Sequence, residues 1–158
     1  MYSEILSHIR TKSEAWQLED EVDLLLDHLY KGKAGEFDLA LKNDLRAWVS
    51  EQLLSAFANP DVKKDEYLRG LKEAIAKLRE LKLTLAFEPT QNSIEKIHDW
   101  VRRNVGENII LDVTFNPTIF AGAIVIFEGK YRDLSLRNKF REQFEQNRER
   151  IFSLLSKT

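Results

Sequence analysis

Three short patterns in this chain contain residue types that can do chemistry, and the first suggests a metal site. Glu95 and His98 have the i, i+3 spacing with which one helix supplies two ligands to a di-iron centre. Such a centre needs a second Glu-x-x-His unit and further carboxylates, and the sequence contains a single unit. We therefore expect no bound metal, and we expect His98 on the solvent side of its helix.

The other two patterns suggest acid–base and phosphate chemistry, but neither has the required geometry. Asp27 and His28 are adjacent, so on a helix their side chains point in different directions. The segment Gly32-Lys33-Ala34-Gly35 follows a helical pattern and lacks the preceding strand and the Lys-Ser/Thr ending of a phosphate-binding loop. It predicts the end of a helix. We expect no catalytic residue and no cofactor, and a small acid–base or metal enzyme is the weaker alternative.

Composition limits the class of protein. The chain has 158 residues and 43% hydrophobic content, enough for one ordinary domain or two small ones with a real core. The absence of cysteine excludes disulfides and thiolate metal sites, and a net charge of -2 argues against general nucleic-acid binding. No apolar run is long enough to span a membrane, and the start Met1-Tyr2-Ser3-Glu4 does not resemble a signal peptide. We expect a cytoplasmic protein without direct membrane insertion.

The first half of the sequence has helical periodicity. A first helix is predicted from a cap at Ser13 to the glycines at 32 and 35, with Leu18, Val22 and Leu25 on one face. A second is predicted from Glu36 through Phe57 to the stop at Asn59-Pro60, and a third to about Glu80. With the segment around Ile5 and Ile9 packed alongside, these stripes predict an antiparallel helical bundle over residues 1–80.

The periodicity changes near residue 80, where Leu81, Leu83 and Leu85 alternate with polar residues as in a strand. A helix capped by Thr90 or Ser93 and ending at Gly106 comes next, followed by a strand over Ile109 to Phe115. A covered central strand is predicted from Ile119 to Phe127, then a turn, a short fourth strand and a helix from about Ser135. The fold class is therefore α+β, with a small α/β domain over residues 81–158 that carries a short sheet and a C-terminal helix.

Two motifs in this second half resemble a known family. Asn116-Pro117-Thr118-Ile119-Phe120-Ala121-Gly122, then an apolar strand, then Asp133-Leu134-Ser135 before the last helix are similar in order and spacing to the signature of the delta subunit of F-type ATP synthases, the oligomycin-sensitivity-conferring protein family. The strand that ends in Ala86 is similar to an earlier element of that family, and the resemblance covers about residues 81 to 140. The motif residues by this resemblance are Ala86, Asn116, Pro117, Gly122, Asp133 and Ser135.

The chain departs from the family pattern at three motif positions and through most of its first half. Asn116 stands where the family usually has aspartate, while Ala121 and Leu134 stand where it has glycine. In the helical half, Tyr2-Ser3-Glu4-Ile5-Leu6 is a faint match to the family's opening residues, and the region is short for a six-helix bundle. Gly122, inside the predicted strand, indicates a bulge or a close approach of another backbone segment.

The resemblance implies a protein that does no chemistry. It implies a stator subunit whose helical domain binds alpha subunits of the catalytic head and whose C-terminal part holds a b-type stalk subunit, so that the head does not turn with the rotor. It also implies a location at the inner face of the cell membrane, through the ATP synthase complex. A stalk subunit of a V- or A-type rotary ATPase is the alternative, although the breaks near Gly32 and Pro60 disfavour its single long N-terminal helix.

Two surface features are candidates for partner binding. The end of the C-terminal helix should extend past the sheet, and its apolar residues are the candidate stalk contacts: Ile151, Phe152, Leu154 and Leu155. The stretch from Glu14 to Asp27 is acidic, whereas the last helix is rich in arginine and lysine. The two charged surfaces are either ordinary solvated helix faces or surfaces that attract different partners.

Overall fold

A computed structural model of the chain describes residues 2–148. Five helices come first: α1 (Ser3–Ser7), α2 (Lys12–Lys31), α3 (Glu36–Asn43), α4 (Ala47–Phe57) and α5 (Lys64–Ala76). The longest of these five, α2, has 20 residues. Residues 2–76 therefore do not form the single long helix expected of a V- or A-type stalk subunit.

Helix α2 begins at a capping box two residues before the predicted cap. Thr11, rather than Ser13, is the N-cap: its hydroxyl accepts a hydrogen bond from Glu14 N at 3.2 Å, and the Glu14 carboxylate accepts one from Thr11 N at 3.0 Å. This reciprocal pair satisfies N–H groups that the start of a helix leaves without intrahelical partners. The predicted end is confirmed, because Gly32 is the C-cap.

The prediction of one helix from Glu36 to Phe57 is wrong, because the chain breaks between α3 and α4. At the break, Arg46 N donates to Glu21 Oε1 at 2.9 Å instead of continuing a helix. The Arg46 guanidinium binds the same carboxylate, with Nη2 at 2.9 Å from Oε2. The two side chains are 26% and 13% exposed, so this ion pair is largely shielded from solvent. It attaches the start of α4 to α2.

The five helices bury one apolar core, which the helical stripes of the sequence predicted. Its fully buried members on α2, α4 and α5 include Leu18, Val22, Leu25, Val49, Leu53, Leu68 and Leu71. Ile5 and Ile9 lie in the same core, which confirms the predicted packing of the N-terminal segment. Helix α5 ends at Ala76 rather than near Glu80, because the next strand already begins at Arg79.

The remaining described elements are a four-stranded sheet and two helices. They are β1 (Arg79–Leu85), α6 (Gln91–Asn104), β2 (Ile109–Phe115), β3 (Ala123–Phe127), β4 (Lys130–Asp133) and α7 (Leu136–Gln146). The strand order is β2-β1-β3-β4, with β1–β3 and β3–β4 antiparallel. Strand β2 runs parallel to β1, since Arg79 N donates to Asn108 O near one end and Asn116 N to Leu85 O near the other. The α+β class is therefore confirmed.

The third strand is shorter and less buried than predicted. It begins at Ala123 rather than Ile119, because residues 116–122 form turns. As expected it is an interior strand, between β1 and β4. None of its five side chains is buried, however, and Ile126 is 38% exposed. The expectation that both faces of this strand are covered is therefore wrong for the part of the chain that the structure describes.

The chain divides into two compact units by its internal contacts. One contains the described residues up to Arg79 together with His98–Ile110, and the other contains Glu80–Ile97 and the described residues from Leu111. The division passes through α6 and β2. A domain boundary between residues 80 and 81 stays a prediction.

Candidate functional site

The motif positions lie together at one end of the sheet. Ala123, at the start of β3, pairs with Leu85 at the end of β1, and its neighbour Ile124 pairs with Asp133 at the end of β4. The segments that leave β1, β2 and β4 and the segment that enters β3 therefore meet at this end. We call the following residues the signature cluster: Ala86, Asn116–Gly122 and Asp133–Ser135.

Asn116 organises the turn between β2 and β3. Its side-chain oxygen accepts hydrogen bonds from Thr118 N at 3.0 Å and from the Thr118 hydroxyl at 2.7 Å, which is an Asx turn. Its backbone N donates to Leu85 O at 2.9 Å and its carbonyl accepts from Ile119 N. Pro117 suits the second position of this turn because its ring fixes φ. An amide oxygen makes these bonds as a carboxylate would, so asparagine can serve at a position where aspartate is usual.

Gly122 occupies a position that only glycine fits without strain. Its φ is +98°, and a β-carbon placed on it would lie 2.5 Å from Leu134 O and 2.9 Å from Ser135 Cα. The Gly122 carbonyl accepts from Ala86 N at 3.2 Å, and the neighbouring Ala121 carbonyl accepts from Leu136 N at 2.9 Å. The close approach of another backbone segment, one of the two sequence-based interpretations of this glycine, is confirmed.

Asp133 and Ser135 fix the start of α7. Asp133 Oδ1 accepts a hydrogen bond from Ser135 N at 2.9 Å, and hydrogen bonds from Ser135 lower the pKa of the Asp133 carboxyl. Ser135 is 4% exposed, and its hydroxyl accepts from Asn138 N at 3.3 Å as the N-cap of the helix. The Asn138 amide in turn donates to Asp133 O at 3.2 Å. The residues of the signature cluster therefore join the β2–β3 turn to the first turn of α7.

The residue types and hydrogen bonds of the signature cluster are those of a structural connection between segments, not of a catalytic site. Its polar groups are bonded to backbone groups and caps rather than arranged as a nucleophile with a base. Within residues 2–148 no group of three or more His, Asp or Glu side chains is placed to hold a metal ion. Also within this range, no helix is both long and apolar enough to cross a membrane.

Helix α7 carries an apolar stripe that the described residues leave uncovered. Leu136, Phe140 and Phe144 follow one another at four-residue steps and are 38%, 63% and 51% exposed. No residue of α7 is buried. The sequence predicted that the end of this helix extends past the sheet, which implies that the strands cover its first turns. This implication is wrong, because the stripe is exposed from its first member. The predicted contacts Ile151, Phe152, Leu154 and Leu155 lie outside the described residues.

Three exposed phenylalanines lie in or next to the signature cluster, and their exposure was not predicted from the sequence. Phe87, Phe115 and Phe120 are 52%, 50% and 64% exposed. Each lies within two residues of a residue whose backbone hydrogen bond links two segments at this end of the sheet, and these residues are Leu85, Asn116 and Gly122. Large aromatic residues at or just beyond the ends of strands, close to turns where polar residues are usual, were the available signal.

The acidic stretch on α2 is largely engaged within its own unit. Lys72 Nζ lies 2.6 Å from Asp23 Oδ2 and 3.8 Å from Glu19 Oε1. Asp27 pairs with Lys31 at 2.9 Å. Together with the Glu21–Arg46 pair and the Glu14 capping box, these contacts reduce the negative charge that α2 presents to a partner.

His98 is buried, so its predicted place on the solvent side of α6 is wrong. It is 7% exposed and borders a cavity of about 60 Å³, large enough for water. Leu6, Ile9 and Arg102 are among the other lining residues. Burial lowers the pKa of His98 below its ordinary 6.5, and a hydrogen bond at the Ile109 backbone partly opposes this shift.

We expect the stability of the chain to fall on acidification because of His98. The native state holds this imidazole neutral and the unfolded state protonates it near pH 6.5, so the contribution is complete above that pH and is lost as the pH falls towards the lowered native value. Asp99 favours protonation, whereas Arg10 and Arg102 oppose it. Urea unfolding at pH 7.5 and 5.5 measures the effect. His98→Gln should lose less stability than wild type between these values, and equal losses would contradict the assignment.

Comparison with known proteins adds a family assignment to this geometry. The family model described as the ATP synthase delta (OSCP) subunit matches residues 65–146, just over half of the chain. The matched region contains the signature cluster and all of α7. No curated protein matches the chain.

Proposed function

Because this chain belongs to the ATP synthase delta (OSCP) subunit family, whose members are stator subunits of the peripheral stalk, we propose that it is a non-catalytic link between the catalytic head and a b-type stalk subunit. In this role it keeps the head from turning with the rotor. The role requires two binding surfaces and a stiff connection between strands and helix. It requires no activated nucleophile.

The observation that carries the proposal is the uncovered stripe of α7. Three large apolar side chains in a row on a helix that buries none of its residues form a surface suited to another helix. The capping and backbone bonds of the signature cluster hold the start of this helix against the β2–β3 turn. A stalk helix bound to Leu136, Phe140 and Phe144 would therefore be attached to the sheet and not to a flexible tail. Ile151, Phe152, Leu154 and Leu155 are proposed to extend the same contact.

The helical unit is the proposed contact for the alpha subunits of the head. A groove of about 330 Å³ is lined by residues of α1, α4 and α5, including Ile5, Ala56 and Tyr67. Grooves between helices accept an amphipathic partner helix through anchors at i, i+3, i+4 and i+7. We propose that an N-terminal segment of an alpha subunit binds to this unit in that manner.

The stalk contact is tested by a charge placed in the stripe. The double variant Phe140→Asp, Phe144→Asp should lower the affinity for the purified stalk subunit by at least about 100-fold, since hot-spot aromatic residues at interfaces contribute about 2 kcal/mol or more each. Its melting temperature should stay close to that of wild type, because both side chains are exposed. Isothermal titration calorimetry and thermal melts give the two readouts.

Trp16→Asp is the matched control for this experiment. Trp16 is 58% exposed on α2, a value close to that of Phe140, and it lies in the helical unit. The control should bind the stalk subunit as wild type does. Stalk binding by the Phe140, Phe144 double variant that equals that of wild type would overturn the proposed contact.

A further inference from the structure

A groove runs along the side of α7 that is opposite the apolar stripe. It has a volume of about 630 Å³ and lies between β4 and α7. Its lining on α7 consists of Asn138, Lys139, Arg141 and Glu142, and its lining from β4 and the connection to α7 consists of Tyr131, Arg132, Asp133 and Leu134. At about 100° per residue, the mean directions of its α7 residues and of the stripe differ by about 180°.

The cations of this groove are more available to a partner than its acids. Asp133 already accepts a hydrogen bond from Ser135 N, and Glu142 Oε1 accepts one from the Asn138 amide at 2.8 Å. Arg132 and Lys139, in contrast, are exposed and have no side-chain hydrogen bond or ion pair within residues 2–148. The third cation of the groove, Arg141, donates to the Asn138 side-chain oxygen. Three cations and two carboxylates give the groove a net charge of +1, and Arg132 and Lys139 are the cations that no side chain within residues 2–148 binds.

The apolar part of the groove fits a protein segment better than a small anion. Tyr131 and Leu134 are 59% and 52% exposed beside the two cations. A phosphate would use the charges and leave these side chains in water, whereas a peptide with acidic and apolar residues would use both.

We propose that this groove binds an acidic segment of the stalk subunit, so that α7 is held on two opposite sides. This inference rests on the proposed function and adds a second contact of defined chemistry to it. The apolar stripe gives the first contact its binding area. Charge complementarity at the groove gives the second contact its orientation and discriminates against partners without acidic residues.

The test compares two variants with the same change in net charge. Arg132→Glu, Lys139→Glu reverses two of the three groove cations, and Lys33→Glu, Lys96→Glu reverses two exposed lysines outside the groove. Binding of the full chain to the purified stalk subunit is measured at about 0.15 M salt, where the Debye length of about 8 Å screens distant charges. The groove variant should bind at least about 10-fold more weakly than wild type, and the control should bind within about two-fold of wild type.

The outcomes separate this inference from the proposed function. Groove-variant binding at the wild-type affinity, or a loss no larger than that of the control, would overturn the acidic contact. The stator role would then still stand on the Phe140, Phe144 variant. Absence of binding by wild type would overturn both. Melting curves of the two variants check that neither charge reversal unfolds the protein.

Discussion

Gly122→Ala should lower the free energy of unfolding by several kcal/mol. Among the described glycines with positive φ, this is the one at which substitution by alanine should destabilise the chain most. A β-carbon there meets Leu134 O at 2.5 Å and Ser135 Cα at 2.9 Å, and both are backbone atoms. Relieving these close contacts requires either the β2–β3 turn or the start of α7 to shift. Such a shift stretches the hydrogen bonds of Gly122 O with Ala86 N and of Ala121 O with Leu136 N. Overpacking against backbone typically costs about 1–3 kcal/mol, and left-handed strain adds about 1–2 kcal/mol.

Gly35→Ala separates these two contributions. Gly35 has a φ of +90°, close to that of Gly122, and nothing lies within 4 Å of a β-carbon placed on it. Its substitution should therefore cost only the left-handed strain, about 1–2 kcal/mol. Urea unfolding of both variants gives the difference. Equal losses would mean that the contact between Gly122 and Leu134 O does not constrain the fold.

Arg46→Ala should cost about 2–3 kcal/mol of unfolding free energy, the second largest effect that we expect. The substitution removes the guanidinium that binds the Glu21 carboxylate, and the Glu21 side chain is only 13% exposed. Of the bonds from residue 46 to this carboxylate, only the one from the backbone N then remains. Loss of one member of a buried ion pair costs about 3–5 kcal/mol, and the partial exposure of this pair reduces the figure. The variant also loses the contact of the guanidinium with the Trp48 ring, 5.1 Å from its centroid.

Lys31→Ala is the control for the Arg46 variant. Lys31 pairs with Asp27 at 2.9 Å, but the two side chains are 76% and 69% exposed. Water screens such a pair, so its loss should cost less than about 0.5 kcal/mol. Chemical denaturation of both variants decides the matter, and similar small losses would show that the Arg46–Glu21 pair is not a stabilising link between α2 and α4.

Sequence periodicity predicted the helices and strands that are determined by the apolar pattern of their own residues. The stripes of α2 and α5 and the alternation in β1 appear in the structure because one face of each element is buried against neighbours. The break at Arg46 could not be predicted in this way, since its partner Glu21 lies 25 residues earlier. The late start of β3 has the same kind of cause, because the turn before it contacts Leu85 at the end of β1 and Leu134 in the connection between β4 and α7.

The candidate site was predictable in composition but only partly in geometry. Motif order identified Asn116, Gly122, Asp133 and Ser135, and the structure brings them together. The error at His98 was avoidable, because its spacing of four from Ile94 and three from Val101 places it on the apolar face of α6. The paired state of the α2 acids depends on Arg46, at the break before α4, and on Lys72 of α5, and both lie far from these acids in the sequence.

The most direct test of the account is whether the chain joins head to stalk. Purified full-length chain, the alpha–beta catalytic head and the stalk subunit from the same organism are mixed in pairs and together, and the masses of the assemblies are measured by light scattering after size exclusion. We predict a three-component assembly that contains head and stalk and that does not form without this chain. Wild-type chain that binds neither partner, or that binds one only after releasing the other, would contradict the proposed stator role.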